Sequence, residues 1–139
     1  MRKLLMIPLL LVFGTQIQAQ DDIKGIWMTQ EAKSKIEIYE KEGRCFGKVV
    51  WLKEPNDRKG NPKTDQNNPD KSLRGREILG SDMLTELKYE EGAWRGKLYA
   101  ARKGRTLDVA IRTRSADVLD LEVSVRGFSR TQQWSRDTL

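Results

Sequence analysis

Residues that could take part in chemistry are concentrated in the polar stretch from Lys53 to Gly80. Its candidate ligand oxygens include those of Asp57, Asp65, Asn67, Asn68 and Asp70. Oxygen atoms of this kind can bind calcium, and two facing carboxylates can act as acid and base on a glycan. A loop that starts at Asp65 lacks the glycine at the sixth place, where Asp70 stands, and the distal glutamate of an EF-hand, so we predict no metal site. The glycan-acting alternative would use Asp57 and Asp65.

A structural role is the simpler interpretation of the same residues. Asp and Asn side chains commonly accept hydrogen bonds from nearby backbone amides in turns. We therefore expect these residues to form Asx-turns. We also expect Asp65 to pair with Arg74 or Arg76 and so to hold the loop across the mouth of the domain.

The residues that most enzymes use are largely missing. The sequence has no histidine and a single cysteine, Cys45. No disulfide within the chain, zinc site of Cys or His ligands, Ser-His-Asp triad or Cys-His pair can form. We therefore predict no enzymatic activity and no cofactor. Cys45 is interpreted as a buried, small apolar residue, the alternative being an exposed thiol that pairs with another molecule.

The aromatic residues favour either a ligand cavity or a filled core. Ligand pockets are mostly apolar with a few polar groups, but tryptophan also fills a small core well. Arginines near the polar stretch favour an acidic head group on an apolar body, such as a fatty acid or envelope lipid. The predicted ligand-binding residues are Trp51, Asp57, Asp65, Asn68, Arg74, Arg76, Trp94, Tyr99 and Arg126. The alternative is a protein-interaction or structural module with a filled interior.

The elements that must position these residues are β-strands. Apolar and polar residues alternate in Lys35–Tyr39, Leu107–Ile111 and Leu119–Val125, as in half-buried strands. Turn residues separate about eight such segments, which is typical of an antiparallel sandwich or barrel. One long polar loop interrupts the series at residues 53–77. We predict an all-β fold with a single domain over residues 20–139.

The first residues predict export. Arg2 and Lys3 precede a short apolar run, and Ala19 precedes the expected cut, so residues 1–19 are interpreted as a signal peptide. The run is too short to span a bilayer, and no cysteine stands at the junction to carry a lipid. We expect a periplasmic or secreted protein with no transmembrane segment in the mature chain.

The charge pattern does not indicate a nucleic-acid partner. Without Arg2 and Lys3, 24 basic residues stand against 20 acidic ones. Residues of opposite sign alternate along much of the chain, which is typical of a solvated surface. The expected partner is a small hydrophobic or amphipathic ligand. The sequence leaves the oligomeric state open.

Two sets of motifs resemble known proteins. The Gly25-x-Trp27 motif with an arginine on the last strand resembles the lipocalin, or calycin, arrangement, in which tryptophan closes one barrel end beneath an arginine. The resemblance implies barrel-closure roles for Gly25, Trp27, Arg130, Trp134 and Arg136, with Arg130 or Arg136 as the cover.

The order of motifs along the whole mature chain resembles the bacterial family called domain of unknown function 2147. The motifs include Gly47-Lys48-Val49-Val50-Trp51-Leu52, Leu73-Arg74-Gly75-Arg76, Trp94-x-Gly96-Lys97-Leu98-Tyr99 and Arg130-Thr131-Gln132-x-Trp134-x-Arg136. The resemblance implies a small exported protein with a lipocalin-like barrel and carries no known activity.

Overall fold

The computed structural model describes residue 3, residues 8–12 and residues 22–139. The signal peptide predicted over residues 1–19 lies outside the described residues, apart from residue 3 and residues 8–12. In the part of the chain that is described, no helix has the length and apolar character needed to cross a membrane.

Eight antiparallel strands form a closed barrel, which confirms the predicted fold. Each strand pairs with the next along the chain, and the first pairs with the last. The strands are β1 (Gly25–Met28), β2 (Ser34–Lys41), β3 (Arg44–Leu52), β4 (Asp82–Glu90), β5 (Ala93–Ala100), β6 (Arg105–Ser115), β7 (Val118–Val125) and β8 (Phe128–Asp137). Residues 53–81 connect β3 to β4 and contain one 3-10 turn, Lys71–Leu73.

The alternating sequence pattern places one face of each strand inside the barrel. On β7, for example, Leu119, Leu121 and Val123 are buried while the residues between them are partly exposed. Burying a large apolar side chain contributes about 1.5–3 kcal/mol, so these inward rows supply much of the stability. Packing is tight beside Gly47, where an added Cβ atom would lie 2.8 Å from the Leu84 side chain.

The connections divide the barrel into two different ends. At the closed end lie the start of β1, the end of β8 and the short turns at residues 42–43, 91–92 and 116–117. At the open end lie residues 29–33, the long loop 53–81 and the turns at residues 101–104 and 126–127. The long loop is therefore on the same end as the β5–β6 and β7–β8 turns.

Trp27 and Arg136 close one end of the barrel. The Trp27 side chain is fully buried, and its indole N–H donates to the Ile23 carbonyl at 2.9 Å. The guanidinium carbon of Arg136 lies 4.2 Å from the centre of the Trp27 ring, within the range of a cation–π contact. Arg136 also donates to the carbonyls of Lys24 and Ala116, at 3.1 and 2.9 Å.

Gly25 leaves room for this arginine. Its φ angle is +125°, and a Cβ atom there would lie 2.7 Å from Nη1 of Arg136. A larger residue would both strain the backbone and displace the guanidinium. Of the two arginines that the sequence offered as the cover, the structure places Arg136 over Trp27, whereas Arg130 is exposed nearer the start of β8.

We predict that Arg136→Ala lowers the free energy of unfolding by about 1–3 kcal/mol, because it removes the cation–π contact and two charge-assisted hydrogen bonds. Arg130→Ala is the matched control and should change stability by less than about 0.5 kcal/mol. Urea unfolding followed by tryptophan fluorescence measures both. Equal losses in the two variants would contradict the assignment of Arg136 as the closing residue.

Candidate ligand-binding site

Asp65 anchors the long loop to the barrel wall. Its side chain is completely buried and accepts hydrogen bonds from three residues. The Tyr99 hydroxyl donates to Oδ1 at 2.6 Å, while Asn68 donates to Oδ2 at 2.7 Å. Arg76 donates to Oδ2 through Nε and Nη2, at 3.1 and 3.0 Å. Since Tyr99 lies on β5, this cluster fastens the loop to that strand.

These contacts set the ionisation of the cluster. Burial alone would raise the pKa of the Asp65 carboxyl, but hydrogen bonds from Asn68, Tyr99 and Arg76, with the charge of Arg76, lower it below its ordinary value. The pKa of Tyr99 is raised to about 12 by burial and by its hydrogen bond to the Asp65 carboxylate. At neutral pH Asp65 is therefore charged and Tyr99 is protonated.

A second contact joins the loop to the β5–β6 turn. The Asn67 side chain donates to the Arg102 carbonyl at 2.9 Å. Gly104 lies so close to the loop that a Cβ atom there would be 1.8 Å from the Asn67 carbonyl oxygen. Only glycine fits at this position, where φ is +60°. The Asp65 cluster and this contact together fix the turn that carries Lys103.

The other acidic residues of the loop serve its own backbone. Asp57 Oδ1 accepts from the amides of Lys59 and Asn61, at 2.8 and 3.0 Å. Asp70 caps the 3-10 turn through the Ser72 amide at 3.0 Å, and hydrogen bonds from Ser72 lower its pKa. Both are Asx-turn contacts of the kind expected from the sequence.

The positions of the loop carboxylates disfavour both metal binding and glycan hydrolysis. Among the residues that the structure describes, no group of three or more Asp, Glu, Cys or His could hold a metal ion. Asp65 has no exposed side-chain surface, and both of its oxygens accept hydrogen bonds. A catalytic carboxylate must reach the substrate or a water molecule. The geometry therefore weighs against the alternative in which Asp57 and Asp65 act on a glycan.

The arginines predicted to hold a head group are mostly engaged elsewhere. Arg76 pairs with Asp65, and Arg74 Nε donates to the Asn68 carbonyl at 2.8 Å. Both side chains stabilise the loop. Arg126, by contrast, is exposed in the β7–β8 turn at the open end.

The predicted aromatic residues do not form one cavity. Trp94 and Trp134 are buried in the core, with 6% and 1% of their surface exposed. Trp51 is on the outer face, because a register shift on β3 pairs it with outward-facing Lys35, whose ammonium lies 5.4 Å from the Trp51 ring. Tyr99 faces the loop through its bond to Asp65. We expected Trp51 to line a cavity inside the barrel. The register shift places its side chain outside the barrel instead.

Cys45 belongs to the core as expected. It is 1% exposed, and burial, with the negative charge of Glu40, raises its thiol pKa to about 11. The thiol is therefore protonated at neutral pH and behaves as an apolar group.

An open depression of about 510 Å³ lies at the open end, lined by Lys103, Arg105, Val125 and Arg126. Only Arg126 was predicted from the sequence. A usable signal was present, because residues 101–107 and 125–132 contain five basic residues and no acidic residue. Sequence alone did not show that the two segments meet across β6 and β7.

Val125 is the apolar residue that lines the depression, and two other apolar residues lie near it in the sheet. Leu107 and Val125 continue the inward rows of β6 and β7 and are half-buried. Phe128 pairs with Val125 across the β7–β8 hairpin and is 77% exposed. Phe128 also continues the row of β8 that contains buried Trp134. Three cations therefore line the depression together with Val125, at the end of the barrel where Leu107 and Phe128 also lie.

A closed antiparallel barrel of eight strands, sealed at one end by tryptophan and arginine, defines this chain as a lipocalin-like protein. It is similar to the solved structure described as protein HP1028 from the human pathogen Helicobacter pylori, which belongs to the lipocalin family. The TM-score is 0.73, the sequence identity is 25%, and the match covers 84% of each chain.

The family model described as "Uncharacterized protein conserved in bacteria (DUF2147)" matches residues 25–136. The chain belongs to this family, which confirms the resemblance found in its motifs. No curated protein matches the chain.

We predict that Tyr99→Phe releases the long loop, because it removes a hydrogen bond to a buried carboxylate that contributes about 1.5–3 kcal/mol. Hydrogen exchange should accelerate at the backbone amides of Asp65 and Asn68, which are bonded within the loop region. Tyr39→Phe is the matched control, since the Tyr39 hydroxyl donates to Asp82 at 2.8 Å, away from Asp65. Loop exchange that rises equally in both variants would show that Tyr99 does not anchor the loop.

We also predict acid-linked destabilisation from Asp65. Because its folded pKa is lowered, the carboxylate contributes stability above its unfolded pKa of about 3.9, and that contribution is lost as pH falls through the folded value. Asp65→Asn should be less stable than the wild type by about 1.5–3 kcal/mol at neutral pH. The difference should shrink below about pH 4, as measured by urea unfolding. A difference that is constant down to about pH 2 would contradict this account.

Proposed function

We propose that this protein is an exported lipocalin-like barrel that binds a small amphipathic molecule with an acidic head at its open end. The observation that carries the proposal is the depression where Lys103, Arg105 and Arg126 meet Val125. Ligand sites combine an apolar surface with a few well-placed polar groups, and this depression has both. Its volume of about 510 Å³ lies in the range of small-molecule sites.

The three cations supply the acidic-head specificity. None of them makes an ion pair with the described residues, although eleven other pairs form there. Their charge is therefore available to an anion. Arg74 and Arg76, which the sequence favoured for this role, are replaced in the proposal by Lys103 and Arg105. The mechanism is a charge-assisted hydrogen bond to the head group.

The apolar part of the ligand rests on Leu107, Val125 and Phe128. The interior below them is filled, since Trp134, Leu121 and Ile111 are at most 1% exposed. A long chain cannot extend down the barrel axis without displacing these residues. The proposal therefore favours a short or partly exposed apolar chain that lies in the mouth.

The filled interior also favours a second candidate function, a protein-interaction or structural module. In that role the exposed Phe128 and the surrounding cations would contact another macromolecule, with no bound small molecule. The two functions differ in whether a ligand accompanies the purified protein.

Native mass spectrometry of protein purified from its own cell envelope tests the proposal. A bound species of lipid mass is expected for the wild type and should be strongly reduced in Arg126→Gln. Lys41→Gln is the control, since Lys41 is an exposed lysine at the last position of β2, at the opposite end of the barrel, and has no ion pair among the described residues. The same spectra test export, because a mature chain that begins at Gln20 is expected. Protein without any bound species in every preparation would favour the interaction module.

A further inference from the structure

The charge gathered at the open end exceeds what one carboxylate would neutralise. Lys103, Arg105 and Arg126 line the depression, and Arg102 and Arg130 lie in the same two segments. These segments contain no acidic residue, and none of the five cations has an ion-pair partner among the described residues.

The other arginines with defined roles show the contrast. Arg76 is neutralised by buried Asp65, and Arg136 lies 3.7 Å from a carboxylate oxygen of Asp117. Pairing is not general, since Arg74 and several other loop cations have no ion pair among the described residues. What distinguishes the segments 101–107 and 125–132 is that all five of their cations are unpaired there and that three of them line one depression.

We propose that the head group bound at this site is a phosphate monoester, so that the ligand is a phosphorylated single-chain amphiphile rather than a fatty acid. The inference rests on the proposed function, because it specifies the head group of the same ligand. A phosphate monoester carries between one and two negative charges at neutral pH, with three acceptor oxygens. A carboxylate offers a single charge and two oxygens.

The side chains match the larger anion. Guanidinium groups bind phosphate through two parallel hydrogen bonds, and an ammonium group adds a point charge. Arg105 and Arg126 provide two guanidinium groups, and Lys103 provides the ammonium group. Phosphate oxygens point in three directions from one atom, so the three cations can approach it from different strands and turns. Phe128 and Val125 remain available for the first part of the chain that follows the head.

Calorimetric titration with four short-chain amphiphiles tests the inference on the mature chain. Octyl phosphate, octyl sulfate and octyl glucoside share an eight-carbon tail, octanoate has a seven-carbon tail, and the head groups are dianionic to monoanionic, monoanionic, neutral and monoanionic respectively. At about pH 7.5 we expect octyl phosphate to bind about tenfold or more tightly than octyl sulfate or octanoate, with octyl glucoside the weakest. At about pH 5 the phosphate is a monoanion, and its advantage over octyl sulfate should largely disappear.

Substitutions that remove one charge test whether the preference for phosphate depends on the depression. Lys103→Gln should weaken octyl phosphate more than octanoate, whereas Lys41→Gln should leave both unchanged. If octyl phosphate, octyl sulfate and octanoate bind equally and more tightly than octyl glucoside, the phosphate inference is wrong and the proposed function stands. If no compound binds, or if all four bind equally, the proposed function itself is overturned.

Discussion

The contact between Arg136 and Trp27 is the constraint on which the barrel depends. It joins the last strand to the first, where the sheet must close, and it covers the indole with a guanidinium at 4.2 Å. A closed sheet has no exposed edges to pair with other chains. Gly25 permits the contact because it leaves the space that the guanidinium occupies. The residues at this end of the barrel therefore stabilise the fold.

The opposite end of the barrel has no such closing contact between tryptophan and arginine among the described residues. The open end carries the long loop and the two basic turns, and its inward rows finish in half-buried or exposed residues. The loop is fixed by the Asp65 cluster, while Asn67 and Gly104 hold the β5–β6 turn against it. Polar residues of the loop thus act mainly as supports. In the proposed function, the side chains that meet the ligand are those of the neighbouring turns and strand ends.

Much of the fold could be predicted because it depends on local patterns. Alternating apolar residues such as Leu119, Leu121 and Val123 defined the strands, and the Gly25-x-Trp27 motif indicated the closed end. The Asx-turns of Asp57 and Asp70 were also predictable, since they involve neighbours in sequence. Each of these features depends on residue type and short spacing.

The site was harder to predict because it depends on distant residues. Trp51 reaches the outer face through a register shift that no local pattern indicates. From the sequence, Arg74 and Arg76 were expected to bind the ligand's head group. In the structure both side chains contact other residues of the loop. Lys103, in the β5–β6 turn, and Arg105, at the start of β6, come to line one depression with Arg126 only because β6 pairs with β7. Long-range pairing therefore decides which cations are available.

The central claim is that the open end of the barrel is the ligand-binding end, and chemical-shift mapping tests it most directly. Amide NMR spectra of the mature chain would be recorded during titration with octyl phosphate. The account predicts saturable shifts confined to the amides of residues 100–107 and 125–130, with none around Gly25 and Trp27. Shifts centred on the closed end, or spread evenly over the barrel, would contradict it.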